Sequence, residues 1–200
     1  MTIKIQNTAL LVIDIINSCC HPECETKKWG ISFNKIRKIV PRLIKFVKEY
    51  KRAGGKVVYI KCTAWDKTHL AKNIIELYKD PKCRYYSKTG FPEKFFKVKP
   101  EKNDTIITKN SYDAFTNPKL EKILKNKKYL IITGIFGDGC VNATIQGGFS
   151  KGHNFIILKD LVETSDEKKR QKLQQMLKEY TWPVMFGKTI KSDDFSKYVN

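Results

Sequence analysis

Three residues of this 200-residue chain carry side chains suited to acyl transfer, and each stands at or just beyond the end of an apolar run. Cys140 follows Tyr129-Leu-Ile-Ile-Thr133 through a short glycine-rich link. It precedes Val141-Asn-Ala-Thr144, which reads as the opening of a helix. A thiol attacks as its thiolate, and helix N-termini, cations and bases all favour that form. Asp14 closes the run that begins at Ala9, and is suited to take the thiol proton and later deliver it to a leaving group. Lys109 closes Asp104-Thr-Ile-Ile-Thr108 and would supply the cation. Gly137 and Gly139 are small, so backbone N–H groups near them can approach a substrate oxygen, as an oxyanion hole requires. Singly, each residue has a plainer explanation: a core thiol, a turn-forming acid, a solvated lysine. Their joint placement at three strand ends is what points to a site.

The runs that hold these residues belong to an alternating pattern. Ala9–Asp14, Lys56–Cys62, Asp104–Lys109, Tyr129–Thr133 and Asn154–Leu158 read as strands. Pro183–Phe186 reads as a last short strand. Between them, Phe33–Ala53 shows apolar residues at helical spacing and stops at Gly54-Gly55. Shorter helices are expected over Leu70–Lys79, Asn117–Leu124, Val141–Lys151 and Ser165–Tyr180, with Asn117 as cap and Pro118 at the first position. Apolar strands alternating with amphipathic helices predict an α/β fold with a parallel sheet covered on both faces. Ligands of such sheets bind outside the carboxyl ends of the strands, near the switch in strand order. Asp14, Lys109 and Cys140 would therefore converge on one edge.

Composition limits the alternatives. The apolar fraction of 41% suits one globular domain over residues 1–200. No run is long enough to span a bilayer, and the N-terminus enters a strand pattern directly without a signal-peptide pattern. A cytoplasmic protein without membrane partners is expected. The formal net charge is +19. The basic residues are mostly lysines spread along the chain, whereas specific phosphate readers lean on arginine, so no specific nucleic-acid partner is expected. The six cysteines read as free thiols. The cluster Cys19, Cys20, His21 and Cys24 has no second Cys/His pair downstream, and so reads as a thiol-bearing loop at a pocket rim, not a zinc site.

The chain resembles the isochorismatase-like cysteine hydrolases, a group that includes nicotinamidases and carbamoylsarcosine-type and ureidoacrylate-type amidohydrolases. Leu10-Leu-Val-Ile-Asp-Ile-Ile-Asn17 resembles the family's first strand with its catalytic acid. Asp104–Lys109 followed by Ser111-Tyr-Asp-Ala-Phe115 resembles the segment of the catalytic lysine. Ile132-Thr-Gly-Ile-Phe-Gly-Asp-Gly-Cys-Val-Asn-Ala-Thr144 resembles the nucleophile segment, and Gly152–Asp160 the strand after it. The resemblance implies a three-layer fold with a six-stranded parallel sheet flanked by helices. It implies a catalytic set of Asp14, Lys109 and Cys140, in which Lys109 holds Asp14 and stabilises the thiolate. It also implies a cis peptide at Ile135–Phe136 that aims the N–H of Phe136, beside that of Cys140, at an oxyanion.

The implied activity is hydrolysis of a C–N bond in a small amide, ureido or carbamoyl substrate through a thioester, with no cofactor. Asn17, Cys19, Trp65, Tyr112 and Phe115 are the expected pocket residues, and a homo-oligomer is expected, with Phe91–Phe96 as a segment that meets a neighbour. The nicotinamidase branch holds a metal with an Asp-Trp-His run; here Ala64-Trp65-Asp66 stands in its place, which argues against metal. Enol-ether hydrolysis, or a non-catalytic or redox-sensing role on the same fold, stay open as alternatives.

Overall fold

The strand β1 (Thr8–Ile13) is buried at all six positions, as a central strand covered on both faces must be. The computed structural model describes residues 3–25, 31–63, 69–77 and 90–200. Around β1 lie β2 (Lys56–Cys62), β3 (Thr105–Lys109), β4 (Tyr129–Ile135), β5 (Asn154–Glu163) and β6 (Gly187–Ile190). They form one six-stranded sheet in the order β3-β2-β1-β4-β5-β6, with every pairing parallel. The order runs one way from β1 through β2 and β3, and the other way from β4. The switch point is therefore the crevice between β1 and β4.

Side-chain alternation splits the core in two. Leu10 and Val12 point into one layer, with Ile36, Val40, Leu43 and Val47 of α2 (Asn34–Arg52). Ala9, Leu11 and Ile13 point into the other, with Leu120 and Leu124 of α4 (Pro118–Leu124) and Ile145 of α5 (Asn142–Ser150). Helices thus cover both faces, giving the expected three layers. α1 (Asn17–Cys20) and α3 (Lys72–Leu77) are short, and α6 (Lys168–Met176) runs into a π-helical stretch, Leu177–Phe186.

Two expectations change here. Pro183–Phe186 is helical, not a strand. The chain turns only at Gly187, whose φ of 154° suits glycine and whose missing Cβ would sit 2.4 Å from the Phe155 carbonyl oxygen. That close approach starts β6 one residue after the expected strand ends. β5 also runs five residues beyond Leu158, through polar Lys159 and Asp160. The pairing register with β4 shifts there, and Asp160 accepts hydrogen bonds from the Ser192 N–H and hydroxyl. The acid is satisfied inside the strand, so its polarity does not end it.

Candidate active site

Asp14 follows β1 directly. Its φ of 52° lies in the left-handed region, which Asp tolerates better than most residues. Its N–H donates to the Ile60 carbonyl, so the reversed backbone stays tied to β2. Gly134 lies beside this point, paired with Ile13. A Cβ on Gly134 would lie 2.1 Å from the Ile13 carbonyl oxygen, so only glycine lets β4 approach. The Ile135–Phe136 peptide that follows is cis. Cys140 then sits within the turn Gly137–Val141 that leads into α5.

The three strand-end residues meet at one point. Lys109 Nζ is 2.9 Å from Asp14 Oδ2 and donates to Cys140 Sγ at 3.2 Å. It also donates to the Ser111 carbonyl at 3.0 Å. A fourth residue joins them: Cys62, at the end of β2, accepts from Lys109 Nζ at 3.1 Å and donates to Asp14 Oδ1 at 3.5 Å. Asp14 Oδ2 has the Lys109 ammonium as its close partner among the described residues.

The charges interact strongly because burial limits their screening; Lys109 and Asp14 are each 1% exposed. Burial works against the Lys109 ammonium, but Asp14, Cys140 and Cys62 together push its pKa well above the ordinary lysine value. The Cys140 thiol is pushed up by its hydrogen bond with Cys62, by burial and by Asp14, against the pull of Lys109. A raised thiol pKa beside a single ammonium is the result expected when two acidic groups share one buried cation.

Asp14, Cys62 and Cys140 place their ligand atoms within 4.8 Å of one another, a spacing that suits a metal ion. The Lys109 ammonium already contacts all three and fills the cation's place. A metal would have to displace it.

Asp14, Cys62 and Cys140 line a cavity of about 490 Å³, also lined by Ser18, Cys19, Tyr112, Phe136, Gln146 and Arg170. Arg170 clasps Asp138 through Nε at 2.6 Å and Nη2 at 2.8 Å, and its guanidinium lies 4.5 Å from the centre of the Phe136 ring. Asp138 also accepts from the Thr164 hydroxyl. The loop between β4 and α5 is thereby braced from α6.

A match to the isochorismatase domain family spans residues 8–189. The chain belongs to the isochorismatase family. Among curated relatives, it is 22% identical to a ureidoacrylate amidohydrolase, RutB, from Azorhizobium caulinodans, covering 80% of this chain and 78% of that one. Among solved structures, a cysteine hydrolase from Pseudomonas syringae pv. phaseolicola superposes with a TM-score of 0.84 at 19% identity, covering 99% and 94% of the two chains. An N-carbamoylsarcosine amidase from Thermoplasma acidophilum gives 0.70 at 18%, covering 93% and 96%. At these identities the structural likeness establishes a shared fold.

Against this isochorismatase fold, the expected pocket residues divide. Cys19 and Tyr112 line the cavity. Asn17 does not: it is buried, and its amide donates to the Phe91 carbonyl at 2.9 Å, pinning the rim from behind. Phe115 is in the core below α5, stacked on His153. Trp65, the run 64–66, Trp29 and Cys83 lie outside the described residues. Gly139 borders the cavity, but the space beside Gly137 is filled by Gln174 and Val162, so that glycine serves packing. Phe91–Phe96 packs on its own chain: the Phe96 N–H donates to the Ile15 carbonyl and the Ser18 N–H to the Pro92 carbonyl. Cys62 and Arg170 were not expected. The strand-end rule that singles out Asp14 and Lys109 applies equally to Cys62. Nothing in the sequence pairs Arg170 with Asp138.

Proposed function

We propose that this isochorismatase-family hydrolase cleaves a C–N bond of a small amide, ureido or carbamoyl compound through a thioester on Cys140. The observation that carries the reading is that Lys109 Nζ contacts both Asp14 and Cys140, two residues that line the cavity. The names of the ureidoacrylate and carbamoylsarcosine relatives agree with this substrate class.

The steps follow from the charges. As Cys140 Sγ attacks the carbonyl carbon, its proton passes to Asp14. The negative charge of Asp14 is thereby passed to the substrate oxygen, and Lys109 stays protonated throughout. The developing oxyanion is taken by the N–H groups of Phe136 and Cys140. Collapse expels the amine, which takes the proton from Asp14. A water then gives its proton to Asp14 and attacks the thioester, and Cys140 recovers its proton as it leaves. Asp14 thus serves as base, acid and base again.

A panel of small amides, ureides and carbamoyl acids, assayed for ammonia release, tests this. Wild-type protein should turn over at least one class, and Cys140→Ser should lower that rate by more than about 10³-fold with the fold intact. Retained turnover in Cys140→Ser, or pyruvate release from isochorismate in place of ammonia release, would overturn the reading.

A further inference from the structure

The hydrolytic cycle leaves the thiol of Cys62 unused. Cys62 is 8% exposed and Cys140 7%, and both line the cavity, so a small solute that reaches one reaches the other. Their sulfurs lie within 4.8 Å of each other. Both receive hydrogen bonds from the same ammonium, Lys109 Nζ, at 3.1 and 3.2 Å. Both lie close to the same carboxylate: Cys62 donates to Asp14 Oδ1, and a carboxylate oxygen of Asp14 lies within 4.8 Å of the Cys140 sulfur. The two thiols come from strands on opposite sides of β1 and meet over its carboxyl end.

We propose that Cys62 is a resolving thiol, and that a hydroperoxide converts Cys62 and Cys140 into a reversible disulfide that shuts the site. This rests on the reading above only in taking Cys140 as the sulfur whose proton Asp14 accepts. In the first step Asp14 takes the Cys140 proton and the sulfur attacks one peroxide oxygen. The O–O bond breaks, the departing oxygen takes the proton from Asp14, and one water leaves for each hydrogen peroxide; sulfur is oxidised to sulfenic acid and peroxide oxygen is reduced. In the second step Cys62 gives its proton to Asp14 and attacks the Cys140 sulfur. The S–O bond breaks and a second water leaves with that proton. Cys62–S–S–Cys140 remains, and two equivalents of a monothiol or one of a dithiol restore both thiols. A disulfide needs about 2.05 Å between sulfurs, so the pair must close and move off Lys109. The oxidised protein then has neither nucleophile nor room at the floor. Disulfides in reducing compartments are usually transient and regulatory, which suits such a pair.

Mass mapping of peroxide-treated protein, with free thiols blocked afterwards, tests the proposal. Wild-type protein should lose two hydrogens and give one cross-linked peptide pair joining Cys62 to Cys140. Dithiothreitol should reverse the cross-link. Cys62→Ser should instead carry Cys140 to the sulfinic acid, with a gain of two oxygens that dithiothreitol does not remove, while Cys19→Ser should still give the Cys62–Cys140 cross-linked peptide pair. A cross-link from Cys140 to Cys19, or sulfinic acid on Cys140 of wild type with Cys62 still free, would overturn it. The readout is mass, so it separates the two readings. Failure to cross-link in a protein that needs Cys140 for turnover sinks only the switch, and turnover in Cys140→Ser sinks only the thioester.

Discussion

Asp14→Asn separates turnover from thiol reactivity. The substitution keeps shape but removes the carboxylate that contacts Lys109, at a position 1% exposed. A positioned general base contributes about 10²–10⁴-fold. At about 1.36 kcal/mol per decade, that is about 2.7–5.4 kcal/mol of transition-state stabilisation. Turnover on the best amide or ureide should fall by this factor. The Cys140 thiol responds in the opposite sense. Asp14 helps to hold its pKa up, whereas Lys109 pulls it down. Without the carboxylate, the cluster's single negative charge passes to Cys140, opposite Lys109. Iodoacetamide should then alkylate Cys140 faster in Asp14→Asn than in wild type, and thiolate absorbance should persist to lower pH. The assay is the ratio of alkylation rates beside the ratio of turnover rates. Near-wild-type turnover would show that Asp14 is not the base. Slower alkylation would show that Asp14 and Cys140 do not compete for one proton.

Three other outcomes are expected. Lys109→Met leaves Asp14 buried without its cation, so unfolding free energy from urea titration should drop by about 3–5 kcal/mol and turnover should be lost. Asp166 accepts from the Ser32 hydroxyl and the N–H groups of Asn34 and Lys35, capping α2 from a distant segment. Partial burial works against its charge, but the Ser32 and backbone hydrogen bonds hold its pKa below the ordinary aspartate value. Its stabilisation is therefore complete above about pH 3.9 and fades as pH falls through the lowered folded value. Asp166→Asn should cost about 0.5–2 kcal/mol at neutral pH, and the gap to wild type should close in acid; a gap unchanged in acid would contradict the capping charge. Arg170→Lys loses the two-pronged grip on Asp138 and the contact with Phe136. Thermal unfolding should register about 1.5–3 kcal/mol, and KM should rise as the loop before Cys140 loosens.

Much of the fold was legible because its signals are local. The β1 run is apolar at nearly every position because both of its faces are covered, and α2 shows its buried stripe at helical spacing. The misread parts depend on distant partners. Pro183 looks like a helix breaker, yet the stretch it begins is helical up to Gly187, where the Phe155 carbonyl leaves no room for a side chain. Lys159 and Asp160 look like a strand end, yet Ser192 satisfies Asp160 within β5. Asn17 looks like a pocket residue, and only the position of Phe91 turns its amide away.

The sequence by itself determined that an acid, an amine and a thiol would share one sheet edge, because strand ends are encoded in apolar runs and parallel topology brings them to one side. The tertiary structure alone sets how closely those groups approach, with Lys109 Nζ in contact with Asp14, Cys62 and Cys140. The raised pKa of the Cys140 thiol comes from its hydrogen bond with Cys62, from burial and from Asp14, against the pull of Lys109. Coulomb energy at such short range and low dielectric outweighs the intrinsic acidity of any single group, and these distances are set by packing, not by neighbours in the chain.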